Sequence, residues 1–268
     1  MENKILSKKI LSKVVYNENN ITLINGDSLK LLKEIKENTV DLIFSDPPYF
    51  LSNNGISCHS GKMVSVNKGE WDTLYSYKEI NKFNKLWLKE CRRILKSNGC
   101  IWISGSRHNI FSIGNLMNEL EYKILNIITW EKPNPPPNLS CRYFTHSTEQ
   151  IIWGTKNGKS KHLFNYQLMK EIEKKWTSKN KQMKDVWSIL PPRKFEKRYG
   201  KHPTQKPEEL LELIIQSNSN EMDVILDPFN GSGTTGVVSK RLNRKYIGIE
   251  MNDGFLEISK NRIIDEDE

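Results

Sequence analysis

Four consecutive residues, Asp46-Pro47-Pro48-Tyr49, place an acid, two rigid backbone carbonyls and an aromatic ring directly after the apolar stretch VDLIFS. Asp46 can accept one N–H of an aromatic amine, and the carbonyl of Pro48 can accept the other, because proline keeps its C=O while losing its N–H. Paired acceptors orient an amine and weaken its conjugation with the ring, which leaves the nitrogen lone pair more reactive. Tyr49 can stack on the base that carries the amine. The alternative is a strand-ending turn with a packed tyrosine.

A second constellation lies far along the chain. Asp227-Pro228-Phe229-Asn230-Gly231-Ser232-Gly233-Thr234-Thr235-Gly236 follows a short apolar run and precedes a helical pattern, and Glu250 comes 23 residues after Asp227. Closely spaced glycines permit a tight turn and near approach of a ligand to backbone amides. An acid at the end of the next strand can accept hydrogen bonds from ribose hydroxyls. This is neither the dinucleotide fingerprint nor a phosphate loop, which needs Gly-Lys followed by Ser or Thr. S-adenosylmethionine, with an adenosine end, a cationic sulfonium and no pyrophosphate, suits an acidic rim to which Asp27 and Asp46 would add. The two constellations would then serve one reaction, methyl transfer to the amine. The alternative is a set of structural glycines and an exposed glutamate.

The elements that must position these groups alternate. A strand is expected over 21–24, a helix beginning with Ser28 as cap and carrying Leu29, Leu31, Leu32 and Ile35, and a strand over 40–45. The apolar spacing of Ile80, Phe83, Trp87, Cys91 and Ile94 predicts a helix over 79–97 stopped by Gly99. Strand 100–104, helix 110–120 and strand segments within 122–130 follow. Pro207 can open a helix over 208–216, before strand 224–226, helix 234–241 and strand 246–249. Such alternation predicts an α/β sheet rather than a bundle. Residues 50–72, rich in Asn and Gly, are too long for an ordinary connection and read as a mobile lid or as an insertion without a role.

Charge is concentrated. Of a net +9 over 268 residues, residues 132–206 hold 17 Lys or Arg against 5 Asp or Glu, a balance of +12 that leaves the remainder at −3. One basic region is what phosphate contacts require, and a solvated lysine face is the alternative. Arg142, Arg193, Lys194, Lys197, Arg198 and Lys201 are the candidate DNA contacts. A base within a duplex would have to leave the stack to reach Asp46. Four cysteines without a CxxC pair suit a reducing cytoplasm. Neither a metal site nor a membrane span is expected.

Asn25-Gly26-Asp27, the DPPY segment, the TQKP segment at 204–207 and DPFNGSGTTG, in this order, make the chain resemble the amino-methylating DNA methyltransferases of β-type motif order. The resemblance runs from Asn25 to Glu250 and implies a mixed, mostly parallel seven-stranded sheet with circularly permuted motifs. It implies catalytic roles for Asp46, Pro47, Pro48 and Tyr49. It assigns cofactor contacts to Asp27, Asp46, Thr204, Gln205, Lys206, Asp227, Phe229, Asn230, Gly231, Ser232, Gly233, Thr234, Thr235 and Glu250, with Thr204, Gln205 and Lys206 beside the methionine portion. The halves 20–132 and 202–262 would form one catalytic domain around a target-recognition region at 133–201. The pattern is also similar to the second adenine methylases of GATC restriction-modification systems. That similarity implies adenine N6 as target in double- and single-stranded DNA, association with an endonuclease without direct binding, and a homodimer. Cytosine N4 methylation and a non-catalytic nucleic-acid binding module are the competing readings.

Overall fold

Apolar β-branched runs form the centre of one nine-stranded sheet. A computed structural model of the chain describes residues 5–48, 56–59, 62–65 and 76–266. Its strands are β1 (Val14–Glu18), β2 (Ile21–Asn25), β3 (Val40–Ser45), β6 (Leu95–Gly105), β7 (Lys123–Glu131), β8 (Thr148–Thr155), β9 (Val186–Ser188), β10 (Val224–Asp227) and β11 (Lys245–Glu250), and β4 (Ile56–His59) and β5 (Lys62–Ser65) form a separate antiparallel pair. The sheet order is β1-β2-β11-β10-β3-β6-β8-β7-β9. Strands β2, β11, β10, β3 and β6 are parallel neighbours, and β8 runs antiparallel between β6 and β7. The C-terminal strands β10 and β11 thus lie between the N-terminal strands β2 and β3, which is the permuted order in three dimensions.

The expected count of seven strands becomes nine because both margins are extended. At one edge, β1 folds back on β2 through Asn19 and Asn20, whose φ angles of 49° and 66° make a tight two-residue turn of the kind that matches strand twist. At the other edge, β9 pairs with β7. The central strands are buried on both faces, as a sheet covered on both sides must be.

The helices are α1 (Lys8–Leu11), α2 (Ser28–Leu31), α3 (Tyr77–Ile94), α4 (Ile110–Glu119), α5 (Tyr166–Thr177), α6 (Glu208–Asn218), α7 (Thr234–Arg241) and α8 (Asp253–Asp265). Trp87 and Ile94 of α3 and Ile113 of α4 pack on one face with Ile43, Ile103 and Ile247. Leu210 and Ile214 of α6 and Val237 of α7 pack on the other with Phe44, Trp102 and Tyr246. Trp102 and Trp153 face each other across β6 and β8 with ring centroids 5.0 Å apart, nearly parallel. A stacked pair of this kind adds about 1 kcal/mol beyond its buried area.

Several local expectations are corrected. Asp27, not Ser28, caps α2 by accepting from the Leu29 amide at 2.9 Å, and the predicted single helix breaks into α2 and a 3-10 turn over Leu32–Glu34. Helix α3 starts earlier, at a capping box in which Ser76 and Glu79 satisfy each other's backbone amides. It ends at Ile94, not near Gly99. Between paired residues Leu95 and Cys100 the strand is longer than its partner, and Lys96 from this irregular stretch holds both Asp41 oxygens at 2.8 Å. Residues 133–201 contribute β8 and β9 to the main sheet. Within 50–72 the described residues form β4 and β5, and the rest of the stretch read as a lid or insertion lies outside the described residues. Among the described residues, no helix is long and apolar enough to cross a membrane.

Candidate active site

Parallel strands end together, so residues just beyond their carboxyl ends converge, and ligands of open α/β sheets bind there. Asp27 follows β2, Asp46 follows β3, Asp227 closes β10 and Glu250 closes β11. All four line one cavity of about 930 Å³, at the upper end of the size of small-molecule sites. Every residue expected to hold a cofactor lines this cavity apart from Gly233, and Pro47 and Pro48 line it too. Tyr49 lies outside the described residues.

Gly233 serves the fold instead. Its φ is +77°, and an added Cβ would lie 2.1 Å from Ser259 Oγ. The glycine is what allows α8 to pack against the start of α7. Gly231, with φ +52°, turns its amide to Glu250 Oε2 at 2.8 Å.

The glycine loop is held on every side. Asn230 receives the Tyr246 hydroxyl at 2.8 Å and donates to the Gly231 carbonyl at 3.0 Å. The buried Arg262 guanidinium donates to the Ser232 carbonyl at 2.8 Å and to Thr234 Oγ1 at 3.0 Å. Thr234 Oγ1 donates in turn to the Lys206 carbonyl at 3.1 Å, which ties the TQKP segment to the loop. Phe229 is wedged between Phe83 and Trp87 of α3, with centroid distances of 6.0 and 5.6 Å.

The acids differ in what surrounds them. Asp227 is buried and accepts from Thr235 Oγ1 at 2.6 Å and the Phe229 amide at 3.0 Å. Burial is nonetheless the larger influence and, with Asp46 and Glu250 nearby, pushes its carboxyl up to about 7. Glu250 is also raised, by burial, against the lowering effect of the Gly231, Met251 and Asn252 amides. Asp46 is paired with Lys206, whose Nζ lies 2.5 Å from Oδ2.

Sequence reasoning missed several residues of this wall. Phe83 and Leu86 of α3, His202, and Phe255 of α8 line the cavity, and His202 meets Phe255 edge to face at 4.2 Å. The helical apolar spacing had marked Phe83 as core, and nothing local to the others announces a ligand. Glu149, 3.6 Å from Lys206 Nζ, was also missed. Its approach depends on the reversal of β8, which leaves no sequence signal.

The candidate DNA contacts fall on two segments. Arg142 is exposed in the loop between β7 and β8 together with Tyr143 and Phe144, the latter 96% exposed. Arg193, Lys194, Lys197, Arg198 and Lys201 surround a 3-10 turn over Phe195–Lys197. Arg198 is already engaged by an ion pair with Asp265 and lies over the Tyr199 ring at 5.4 Å. Cys91 and Cys100 are buried thiols, and no group of three or more potential metal ligands occurs among the described residues.

Comparison with known proteins agrees with this geometry. A family model described as DNA methylase matches residues 40–261. The chain is 54% identical over 255 residues to the Type II methyltransferase M2.LlaDCHI of Lactococcus lactis subsp. cremoris, covering 95% of this chain and 93% of that one. It is 52% identical over 260 residues to M2.DpnII of Streptococcus pneumoniae, covering 97% and 95%. A crystal structure of an M1.HpyAVI–SAM complex superposes with a TM-score of 0.67 at 28% identity, over 91% of this chain and 98% of that one. With the acids of four parallel strands around one cavity and a family match spanning most of its length, this chain belongs to the DNA methylase family.

Proposed function

We propose that the chain transfers a methyl group from S-adenosylmethionine to adenine N6 within GATC sites of double- and single-stranded DNA. The observation that carries this reading is the shared cavity: Asp46 at the end of β3 opens onto the same space as Asp27, Asp227, Gly231 and Glu250. The donor set fits the cofactor. Acids suit a sulfonium cation, and Gln205 Oε1, in the same wall, is a buried acceptor without a hydrogen-bond partner among the described residues. Asp27, Thr204, Gln205, Asp227, Gly231 and Glu250 would hold it, with Phe229 as the apolar surface. When bound, it supplies an electrophilic methyl group.

The chain's own contribution is orientation. Asp46 accepts an N–H of the target amine, the Pro48 carbonyl accepts the second, and Pro47 fixes the path between them. Tyr49 stacks on the base. The cavity is large enough for a base that has left the duplex as well as the cofactor. Target recognition belongs to the parts of 133–201 outside the sheet strands, with Arg142, Arg193, Lys194, Lys197 and Lys201 against phosphate or base edges. Similarity to Type II M2 enzymes supports adenine, a GATC target and a functional pairing with a restriction endonuclease that needs no direct contact. A cytoplasmic location and a homodimer go with this reading.

The test is methylation of oligonucleotides carrying GATC or scrambled sites, in both strand states, followed by nucleoside mass spectrometry. N6-methyladenine confined to GATC substrates is expected. N4-methylcytosine as the sole product would overturn the base assignment.

A further inference from the structure

Lys206 was expected beside the methionine portion of the cofactor, and its ammonium is directed to Asp46, the residue read as the amine acceptor. It lies 2.5 Å from Asp46 Oδ2, 3.6 Å from Glu149 Oε2 and 3.3 Å from the Thr204 carbonyl, and it is only 6% exposed. Glu149, near the start of β8, also receives the ammonium of Lys132, which follows β7 and lies 4.7 Å from the Trp130 ring centroid. Charges therefore alternate along one line: Asp46, Lys206, Glu149, Lys132.

Burying an ammonium is unfavourable unless opposite charges and hydrogen bonds offset the lost water. Burial is indeed the largest influence on Lys206 and disfavours its charge. Asp46 and Glu149 together outweigh it, and the group is held above the ordinary lysine range. Both lysine neighbours are needed for that balance.

Asp46 stands in particular need of such a brace. It lies just beyond Ser45, the last residue of β3, on a stretch with no regular secondary structure, and Pro47 cannot donate to a neighbouring strand. The backbone ladder that fixes Phe44 and Ser45 against β6 therefore stops short of the carboxylate.

We propose that Lys206 and Glu149 are positioning residues for Asp46: the lysine holds the carboxylate in the orientation that receives the target amine, and Glu149 holds the lysine. Neither is assigned a contact with the methyl donor. The proposal rests on the reading of Asp46 as the amine acceptor and deepens it.

The test uses the full chain with a GATC duplex, comparing Lys206→Met, Lys206→Arg and Glu149→Gln with Asp46→Ala. S-adenosylmethionine affinity is measured by calorimetry, and turnover at saturating cofactor and DNA. A displacement of about 1 Å in a reacting group can cost about 100-fold, so Lys206→Met should lower kcat by about that factor. Its cofactor Kd should stay within about threefold of wild type. Lys206→Arg should recover about tenfold of the loss, since the charge returns with altered geometry. Glu149→Gln, nearly isosteric, should lower kcat by about tenfold with cofactor affinity unchanged.

A Lys206→Met protein with near-normal kcat and cofactor binding weakened about tenfold or more would return Lys206 to the methyl donor and overturn the proposal. Should Lys206→Met fail to fold, Glu149→Gln decides: unchanged kcat overturns it. Near-normal turnover in Asp46→Ala would instead remove the amine reading itself. Loss of turnover in Asp46→Ala beside unaffected lysine and glutamate variants would remove only the positioning role.

Discussion

The glycine-rich rim of the cavity and the loop between β7 and β8, which does not line it, are built in opposite ways. Along Asp227–Thr235, polar groups are bonded inside the protein: Asp227 to Thr235 and Phe229, Gly231 to Glu250, Asn230 to Tyr246, and Ser232 to Arg262. Along the loop between β7 and β8, Leu139, Arg142, Tyr143 and Phe144 face outward, and the hydrogen bonds that shape it are mainly local, such as Asn138 to the Tyr143 carbonyl at 2.5 Å. The first rim is complete before any ligand arrives. The loop leaves the Tyr143 and Phe144 rings exposed. Preorganisation lowers the ordering cost of binding, so the cofactor rim should act through stability and affinity together. On the function proposed above, the loop should act through DNA affinity alone.

Four experiments would break or sharpen that contrast. The largest effect is expected for Gly233→Ala, where a positive φ and a Cβ 2.1 Å from Ser259 Oγ coincide. Overpacking and backbone strain together should cost about 3 kcal/mol of unfolding free energy in urea titrations. A loss under about 0.5 kcal/mol, the scale of an ordinary surface change, would show that this rim yields. Next, Glu250→Ala should weaken S-adenosylmethionine binding by about tenfold, or about 1.4 kcal/mol, with kcat at saturation nearly retained. Unchanged affinity by calorimetry would take the ribose role away from this acid.

Phe144→Ala comes third. Stacking of an exposed ring on a base is worth about 1–3 kcal/mol, and the lower end is expected for a ring that is 96% exposed. KM for DNA should rise severalfold while Tm and cofactor affinity stay put; a drop in Tm would show that the loop supports the fold.

The last test is a pH slope. The folded state holds the Asp227 proton up to about 7, against an ordinary 3.8. Between those values the folded protein binds more protons than the unfolded chain, so this group's contribution to stability is present below about pH 4 and is lost as pH rises through about 7. Asp227→Asn should flatten that part of the stability profile. An unaltered slope in urea unfolding at acidic and neutral pH would mean that the carboxyl is not held protonated.

How much of this was legible in the sequence varies with the range of the interactions. Helix α7 and strands β10 and β11 lie within a residue of their expected ends, because apolar period and flanking turns are local signals. The convergence of Asp27, Asp46, Asp227 and Glu250 was accessible too, since parallel strands must end at one edge. Strand β1 escaped notice because its turn is Asn-Asn, without glycine. The capping box at Ser76 was present in the letters, yet the helix was started at its final member. Strand β8 hid within a stretch defined by its charge, and with it went Glu149, whose partner Lys206 is 57 residues away. Lys206 was picked out for this cavity, but its pairing with Asp46 and Glu149 was not foreseen. Residue type indicates that a lysine near acids matters; only the sheet order says which acid it meets.

The loop between β7 and β8 is pinched at its base, where the Lys132 amide donates to the Ser147 carbonyl at 2.7 Å. Both ends are therefore a fixed distance apart whatever lies between them. Residues 133–147 can be exchanged as a cassette with the corresponding segment of a relative, leaving the sheet seams uncut. Grafts of this kind would test whether the loop sets the sequence preference proposed above, because the cavity walls are left unchanged.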